Sequence, residues 1–122
     1  MLTRQLSIMF IVATITVPSI AYADAASAEK AIRSELKVKD MLFQPNAAVR
    51  WQIGVLDDGS KRWGYAMYLC GVLREHEVVT SATKPWEQVV RIVDIVKVSR
   101  GVGFREASLG SVDCATDEKL MP

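Results

Sequence analysis

Bulky and small side chains alternate along residues 63–72, and this stretch is the centre of the predicted fold. Read with a period of two, one face carries Trp63, Tyr65, Met67 and Leu69. The other face carries mostly smaller side chains, such as Ala66. Alternation of this kind without proline predicts a long β-strand inside a sheet.

A second alternating segment covers residues 48–56. Trp51, Ile53 and Val55 fall on one face, and a polar turn containing Gly59 follows at residues 57–60. Glycine is suited to the positive φ angles of tight hairpin turns. The two segments therefore predict a β-hairpin over residues 48–72.

An apolar stripe at helical spacing precedes these strands and predicts a helix over residues 24–42. Its inward face carries Ala28, Ala31, Ile32 and Leu36, closed by Met41 and Leu42. Pro45 is expected to end the helix, because the residue before a proline is pushed out of the α region. We expect this stripe to pack on the sheet; the alternative is an amphipathic helix that binds a partner.

The second half of the chain is rich in β-branched residues. A short strand is predicted at residues 78–79, and the β-branched run of residues 89–98 predicts a longer one. Arg91, Asp94 and Lys97 recur at a spacing of three, which leaves a helix as the alternative there. A short last strand is predicted at residues 102–107. The sum is an α+β domain over residues 24–114, with an N-terminal helix on a small antiparallel sheet of three to five strands. Residues 115–122 are predicted to be a flexible tail.

The first 23 residues have the layout of a secretory signal peptide. Arg4 is followed by an apolar run over residues 6–17 and by the small-residue site Ala21-Tyr22-Ala23. Cleavage after Ala23 or after Ala25 is compatible with this layout. The apolar run is short for a membrane span, and no cysteine suitable for a lipid anchor lies near the site. We therefore expect a periplasmic or secreted protein, with no membrane segment after removal of the signal.

Charge changes this picture little. Removing residues 1–23 from the 122 leaves 99 residues, and the 15 basic residues fall to 14 by loss of Arg4, against 14 acidic residues. A neutral chain without a basic run has no electrostatic reason to bind nucleic acid or anionic membrane. Ninety-nine residues suffice for one domain with one modest core.

The two cysteines, Cys70 and Cys114, form an even pair in a chain predicted to be exported. In an oxidising compartment the natural expectation is a disulfide between them. The alternatives are a free catalytic thiol or half of a metal site, and the single histidine disfavours both.

Candidate catalytic groups do not converge in the sequence. His76 lies between Glu75 and Glu77, a pattern typical of a solvated turn, and Asp57-Asp58 lacks the further spaced ligands of a calcium loop. No Gly-x-Ser-x-Gly elbow occurs, and nothing selects Glu87 and Asp94 as a catalytic carboxylate pair. The sequence therefore indicates no catalytic residue, no metal and no cofactor, and favours a non-enzymatic protein.

Short motifs resemble a group of small exported bacterial proteins of unknown function. They are the Pro45-x-x-Ala48 step after the predicted helix, the Cys70-Gly71 end of the aromatic segment, and a lone cysteine near the C-terminus, Cys114. The chain departs from the group at Gln44, where an acidic residue is usual, and at Leu73-Arg74, where an asparagine is usual. The resemblance supports the helix-plus-sheet interpretation and the Cys70–Cys114 bridge, and it implies no activity.

The remaining candidate site is Lys84-Pro85-Trp86, at the end of a polar loop. The tryptophan has two alternatives: it folds back as a lid on the core, or it projects as an anchor for a partner. We expect a binding or accessory protein of the cell envelope that contacts another envelope protein through this loop. The alternatives are a structural subunit of an envelope assembly and, less favoured, a small hydrolase. The sequence does not identify the partner or the oligomeric state.

Overall fold

A computed structural model describes residues 20–120 of the chain. The helices are α1 (Ile20–Arg33), α2 (Trp63–Glu75) and α3 (Ile95–Ser99). The strands are β1 (Asp40–Phe43), β2 (Trp51–Val55), β3 (Val89–Asp94), β4 (Ser108–Asp113) and β5 (Glu118–Leu120). Among these helices, none has the length and apolar character that crossing a membrane requires.

The five strands form one sheet in the order β1-β2-β3-β4-β5. β2 and β3 are parallel, with Ile53 opposite Ile92, and the other neighbouring pairs are antiparallel. A parallel pair requires a crossover connection, which α2 supplies. The predicted α+β class is confirmed, and the five strands lie within the predicted three to five, although the sheet is mixed rather than wholly antiparallel. The hairpin predicted over residues 48–72 is wrong, because β2 pairs with β1 and β3.

The strand predicted over residues 63–72 is also wrong, since residues 63–75 form α2. Its buried residues include Ala66, Leu69, Cys70 and Leu73, at helical spacings of three and four. Tyr68 lies on the outer side and is largely exposed. The period-two alternation of bulky side chains was therefore coincidental, and the residues that are buried follow helical spacing instead.

α1 confirms the start of the predicted helical stripe but ends earlier than expected. Ala28 and Ile32 are fully buried against the core, and the helix ends at Arg33. Ser34 Oγ then donates to the Ala31 carbonyl at 2.6 Å, a side-chain bond that competes with continuation of the helix.

The end of the predicted N-terminal helix forms β1 instead. Leu36 is 93% exposed rather than part of the inward stripe, and Met41 and Leu42 pair with β2. Pro45 follows a strand and does not end a helix. Lys39 N already donates to the Gly54 carbonyl at 2.8 Å, so pairing with β2 outweighs the local helical pattern.

The segment predicted as a strand over residues 89–98 divides into β3 and α3. The change falls at Asp94, whose Oδ1 accepts hydrogen bonds from Val96 N at 3.0 Å and Lys97 N at 3.4 Å. Such a carboxylate is a favourable N-cap. Both alternatives of the sequence were therefore partly correct.

The C-terminal strands lie later than predicted. Residues 102–107 and 78–79 form no strand, whereas residues 108–113 form β4. The predicted flexible tail contains β5, in which Leu120 is buried and pairs with Ser111.

One face of the sheet and the two longer helices enclose the core. The largest fully buried side chains of β2, β3 and β4 on this face are Trp51, Ile53, Val55, Val90, Ile92 and Val112. The predicted disulfide is confirmed: Cys70 of α2 is bonded to Cys114, just after β4, and both are fully buried. This bond indicates an oxidising, extracytoplasmic compartment.

The predicted signal peptide lies almost wholly outside the described residues, which begin at residue 20. α1 runs through both predicted cleavage positions. Cleavage after Ala23 or Ala25 would leave the buried residues Ala28 and Ile32 in the mature chain.

Candidate functional site

The loop between α2 and β3 is held by its own hydrogen bonds. Thr80 N donates to Thr83 Oγ1 at 2.8 Å, and Thr83 N donates to the Thr80 carbonyl at 3.1 Å. Ala82 N donates to Thr80 Oγ1 at 3.2 Å. These local bonds give a mostly exposed loop a defined conformation.

Residues 84–87 complete the loop as a tight turn. Glu87 N donates to the Lys84 carbonyl at 3.1 Å, and Glu87 Oε2 accepts from Lys84 N at 2.9 Å. Pro85 and Trp86 are the central residues, and Trp86 has a φ of 68°. Proline followed by a residue of positive φ is the pattern of a type II turn, in which glycine or asparagine normally occupies the second central position. A tryptophan at this position is unusual.

A buried carboxylate fixes the backbone of this tryptophan. Trp86 N donates to Asp113 Oδ2 at 2.9 Å, and Asp113 Oδ1 accepts from Ala115 N at 3.1 Å. Asp113 is only 1% exposed and precedes the disulfide residue Cys114. The turn is therefore attached to the most strongly cross-linked part of the fold.

A second buried side chain, at the end of the loop, is bonded to β2. Gln88 is buried, and its Oε1 accepts from Trp51 Nε1 at 2.8 Å. Cys114 N donates to the Gln88 carbonyl at 2.9 Å. The turn at residues 84–87 is thus joined to the core at Trp86 and through the residue that follows it, Gln88.

Trp86 is 62% exposed, so its side chain projects from the loop rather than covering the core. The alternative in which this side chain covers the core is therefore wrong, and its role as an anchor for a partner stays a prediction. An exposed tryptophan on a pre-ordered turn is suited to insertion into a partner, since tryptophan is enriched at interface hot spots and pre-ordering lowers the entropic cost of binding.

The other candidate residues lie in structural roles. His76 is the C-terminal cap of α2, with its Nδ1 2.6 Å from Ser27 Oγ. Glu87 supports its own turn, whereas Asp94 caps α3 at the opposite end of β3, so these two carboxylates do not converge. Within residues 20–120, no group of three or more metal-ligating side chains is placed to hold an ion.

Asp57 and Asp58 organise the turn after β2. Asp57 Oδ1 accepts from Gly59 N at 2.8 Å, and Asp58 Oδ1 accepts from Ser60 N at 3.0 Å. Hydrogen bonds from the Ser60 hydroxyl and amide, with a smaller contribution from the nearby Arg62 guanidinium, lower the pKa of Asp58. The predicted polar turn is confirmed, with Gly59 at a φ of 87°.

Comparison of the chain with protein-family models, with curated proteins and with solved structures found no match in any of the three. The resemblance to small exported bacterial proteins therefore stays a prediction.

Sequence reasoning selected Lys84, Pro85 and Trp86 but missed the residues that hold them. Asp113, which accepts from Trp86 N, lies 27 residues further along the chain. Gln88 accepts from Trp51, which lies 37 residues before it. A Lys-Pro-Trp-Glu segment is a usable turn signal, because proline pre-sets the first central position. Nothing in the sequence indicates which carboxylate would lie beneath it.

Proposed function

We propose that this protein is a small exported, non-enzymatic binding or accessory protein of the cell envelope. In this proposal, Lys84, Pro85 and Trp86 contact another envelope protein, with the Trp86 indole as the main anchor. The observation that carries the proposal is the exposed side chain of Trp86, whose backbone has a positive φ and is hydrogen-bonded to a buried carboxylate. Strain of this kind persists where the surrounding structure over-determines it, and it clusters at functional positions.

Export is supported by the leader layout and by the disulfide. Arg4, the apolar run over residues 6–17 and Ala21-Tyr22-Ala23 form the expected signal, and the Cys70–Cys114 bond fits an oxidising destination. Intact mass of the protein purified from the periplasm or medium should give an N-terminus at Asp24 or Ala26. A species that still carries Met1 would contradict export with cleavage.

Partner binding is tested with matched truncations of two exposed apolar side chains. Leu56 is 55% exposed in the segment after β2, so Leu56→Ala removes a comparable side chain away from the proposed contact. Wild type, Trp86→Ala and Leu56→Ala serve as bait for an envelope extract. The partner captured by wild type is then purified and titrated against all three.

We expect Trp86→Ala to weaken this binding by about 2 kcal/mol or more, roughly thirtyfold, as for an interface hot spot. Leu56→Ala should bind like wild type, and the melting temperature of Trp86→Ala should stay nearly unchanged because the indole projects into solvent. A strong loss of melting temperature with binding intact would mean that Trp86 is structural. If wild type instead captures only its own chain and sediments with concentration-dependent mass, the alternative of a structural subunit is favoured.

A further inference from the structure

A pocket of about 290 Å³ lies beside the turn that carries Trp86. Glu87 and Gln88, the two residues that follow Trp86, line it together with Glu77 and Val78 from the other end of the same loop. The rest of its lining comes from the start of α1, the end of β1 and the residues before β2, and includes Asp24, Phe43, Pro45 and Arg50. The pocket therefore borders the proposed partner contact.

A buried amide that lines this pocket has an unused donor. Gln88 is only 7% exposed, and its Oε1 accepts from Trp51 Nε1, a group that can only donate. This bond fixes the orientation of the amide, and the Nε2 end donates to no acceptor within residues 20–120. The unpartnered side-chain atoms of residues 20–120 that are closed to solvent all belong to other residues, so Nε2 is accessible. A carbonyl oxygen that enters the pocket can accept from it.

The loop supplies two carboxylates to the pocket, from Glu77 and Glu87. Neither forms an ion pair within residues 20–120. Glu87 Oε2 accepts from the Lys84 backbone amide, which is a neutral donor. Arg50, the cation among the described lining residues, comes from a different segment, just before β2. A cationic group that enters beside the loop therefore meets two carboxylates without a counter-charge.

The chain keeps one of these carboxylates at a strained backbone position. Glu77 follows the C-terminal cap of α2 and has a φ of 60°. Val78 N donates to the Leu73 carbonyl at 2.9 Å, and Glu77 N donates to the Arg74 carbonyl at 3.1 Å. These two bonds define a Schellman helix end, in which glycine usually takes the position of Glu77. The loop thus holds Glu77 and Trp86 at positive φ on either side of the pocket lining.

We propose that this pocket receives a basic side chain of the partner protein, from a segment next to the one that contacts Trp86. The apolar stem of a lysine or arginine matches Phe43, Pro45 and Val78, and its charged end is placed beside the loop carboxylates. A main-chain carbonyl of the same segment accepts from Gln88 Nε2. The inference rests on the proposed function for the identity of the partner, whereas the pocket is tested without it.

Volume and charge both favour a single long side chain as the occupant. A cavity of about 290 Å³ lies at the lower end of the range for small-molecule sites. A metal ion is a poorer occupant, because no group of three or more metal-ligating side chains within residues 20–120 is placed to hold one. An arginine or lysine places one charge at the end of an apolar stem, as the lining requires.

Signal removal changes the edge of the pocket at Asp24 but not its loop side. Cleavage after Ala23 gives Asp24 a free α-ammonium that offsets its carboxylate, and cleavage after Ala25 removes Asp24 altogether. In either case the start of α1 adds no excess of negative charge. The attraction for a cation therefore comes from the two loop carboxylates, which both mature chains retain.

The test uses two capped peptides, acetyl-glycyl-arginyl-glycinamide and its citrulline counterpart, which has nearly the same shape without the charge. Each is titrated at low salt into the isotope-labelled mature protein, and amide signals are followed by NMR. We expect saturable shifts at residues 77–78 and 87–88 with the arginine peptide, and about tenfold weaker binding of the citrulline peptide. The side-chain amide proton of Gln88 should move to lower field as the peptide carbonyl accepts from it.

Two glutamate variants give a matched comparison. Glu77→Gln removes one lining carboxylate and should weaken binding of the arginine peptide about threefold, with the citrulline peptide unaffected. Glu75→Gln removes an exposed carboxylate of α2 that does not line the pocket, and it should change neither titration. Absence of saturable shifts at the pocket up to the solubility limit would overturn the inference, as would equal affinities for the two peptides.

The purified partner separates this inference from the Trp86 contact. Glu77→Gln should weaken partner binding at low salt and have less effect at high salt, because added ions screen the charge pair. If Trp86→Ala weakens partner binding while Glu77→Gln leaves it unchanged at low salt, the Trp86 contact stands and the partner does not use the pocket. If the arginine peptide binds as expected while Trp86→Ala leaves partner binding unchanged, the pocket stands and the Trp86 anchor is wrong.

Discussion

At the residue scale, Trp86 combines two properties that rarely occur together: a bulky side chain and a positive φ. For an L-residue, the left-handed region costs about 1–2 kcal/mol, because Cβ approaches the following carbonyl oxygen. The hydrogen bond to Asp113 and the turn bond from Glu87 to Lys84 hold the backbone in this conformation. The chain thus keeps a tryptophan where glycine would be less strained.

This strain predicts an inverted order of stability between two substitutions. Trp86→Gly should be more stable than Trp86→Ala by about 1 kcal/mol, because glycine adopts positive φ without steric cost. In an ordinary position glycine would be the less stable of the two. Urea unfolding of both variants measures the difference, and an alanine variant more stable than the glycine variant would contradict the turn conformation.

Tyr65 is a second residue with a marked local environment. Burial raises its pKa to about 12, helped by the Glu35 carboxylate and Tyr68, and its hydroxyl is buried with no partner among residues 20–120. Since the folded state holds the proton more tightly than the unfolded state, stability is fully present below pH 10 and falls as the pH rises toward about 12. Tyr65→Phe should remove this part of the alkaline loss. It should also raise the free energy of unfolding at neutral pH by about 1 kcal/mol, since it removes an unsatisfied buried hydroxyl.

Tyr68→Phe is the matched control for this prediction. The Tyr68 hydroxyl donates to Glu35 Oε2 at 3.0 Å on the surface, so its removal should change the neutral-pH stability little. Urea unfolding between neutral pH and pH 12 gives the comparison. Destabilisation by Tyr65→Phe would mean that the hydroxyl has a partner in solution.

At the element scale, the start of α2 lies against an irregularity in β4. The pairing register of β3 and β4 shifts between Ile92 and Val93, and Gly110 beside this shift has a φ of 154°. Arg62 N donates to the Leu109 carbonyl at 2.9 Å. The N-terminal end of α2 thus lies against this bulge, and α2 forms the crossover between β2 and β3.

This close approach requires a residue without a side chain at position 110. A Cβ there would lie 3.0 Å from Trp63 N, a backbone atom that cannot move alone, so Gly110→Ala should destabilise by about 1–3 kcal/mol. Gly71→Ala, inside α2 with nothing within 4 Å, should instead stabilise by up to about 1 kcal/mol. Thermal or urea unfolding decides between them. Equal effects at both positions would mean that the helix end does not press on the bulge.

At the scale of the whole molecule, the disulfide joins α2 to the residue just after β4. The last residue of β4, Asp113, holds the turn at residues 84–87. Cys70 and Cys114 are 44 residues apart, and closing a loop of this length stabilises by about 4 kcal/mol in the chain-entropy model. Arg74, which also lies in α2, donates a hydrogen bond to the Cys114 carbonyl at 2.8 Å. The bond therefore stabilises the fold and the base of the Trp86 turn together.

Removal of the bridge should be costly. Cys70→Ala and Cys114→Ala should each lower the free energy of unfolding by about 2–5 kcal/mol, the usual range for a small secreted domain. Unfolding of the oxidised wild type beside each variant gives the values. Alkylation of two free thiols in the native protein purified from an oxidising compartment would contradict the bond itself.

The amino-acid sequence alone determined the features that depend on composition and on near neighbours. The α+β class, the alternation of β2, the buried Ala28 and Ile32, and the turn at Gly59 follow from local patterns of apolar and turn-forming residues. The disulfide followed from two cysteines and a predicted compartment. The loop that ends at Lys84-Pro85-Trp86 was also recognisable, because proline carries its own backbone restriction, but the exposure of Trp86 was left open.

The tertiary structure decided what depends on pairing between distant segments. Residues 63–75 satisfied a strand pattern and a helical one, and the helix formed because it bridges two parallel strands and buries Leu69, Cys70 and Leu73 together. Residues 40–43 and 118–120 became strands through hydrogen bonds to neighbours that no local pattern identifies. The same holds for the candidate site: the Asp113 carboxylate lies beneath Trp86 because of the strand register, so the contact arises only when the chain is folded.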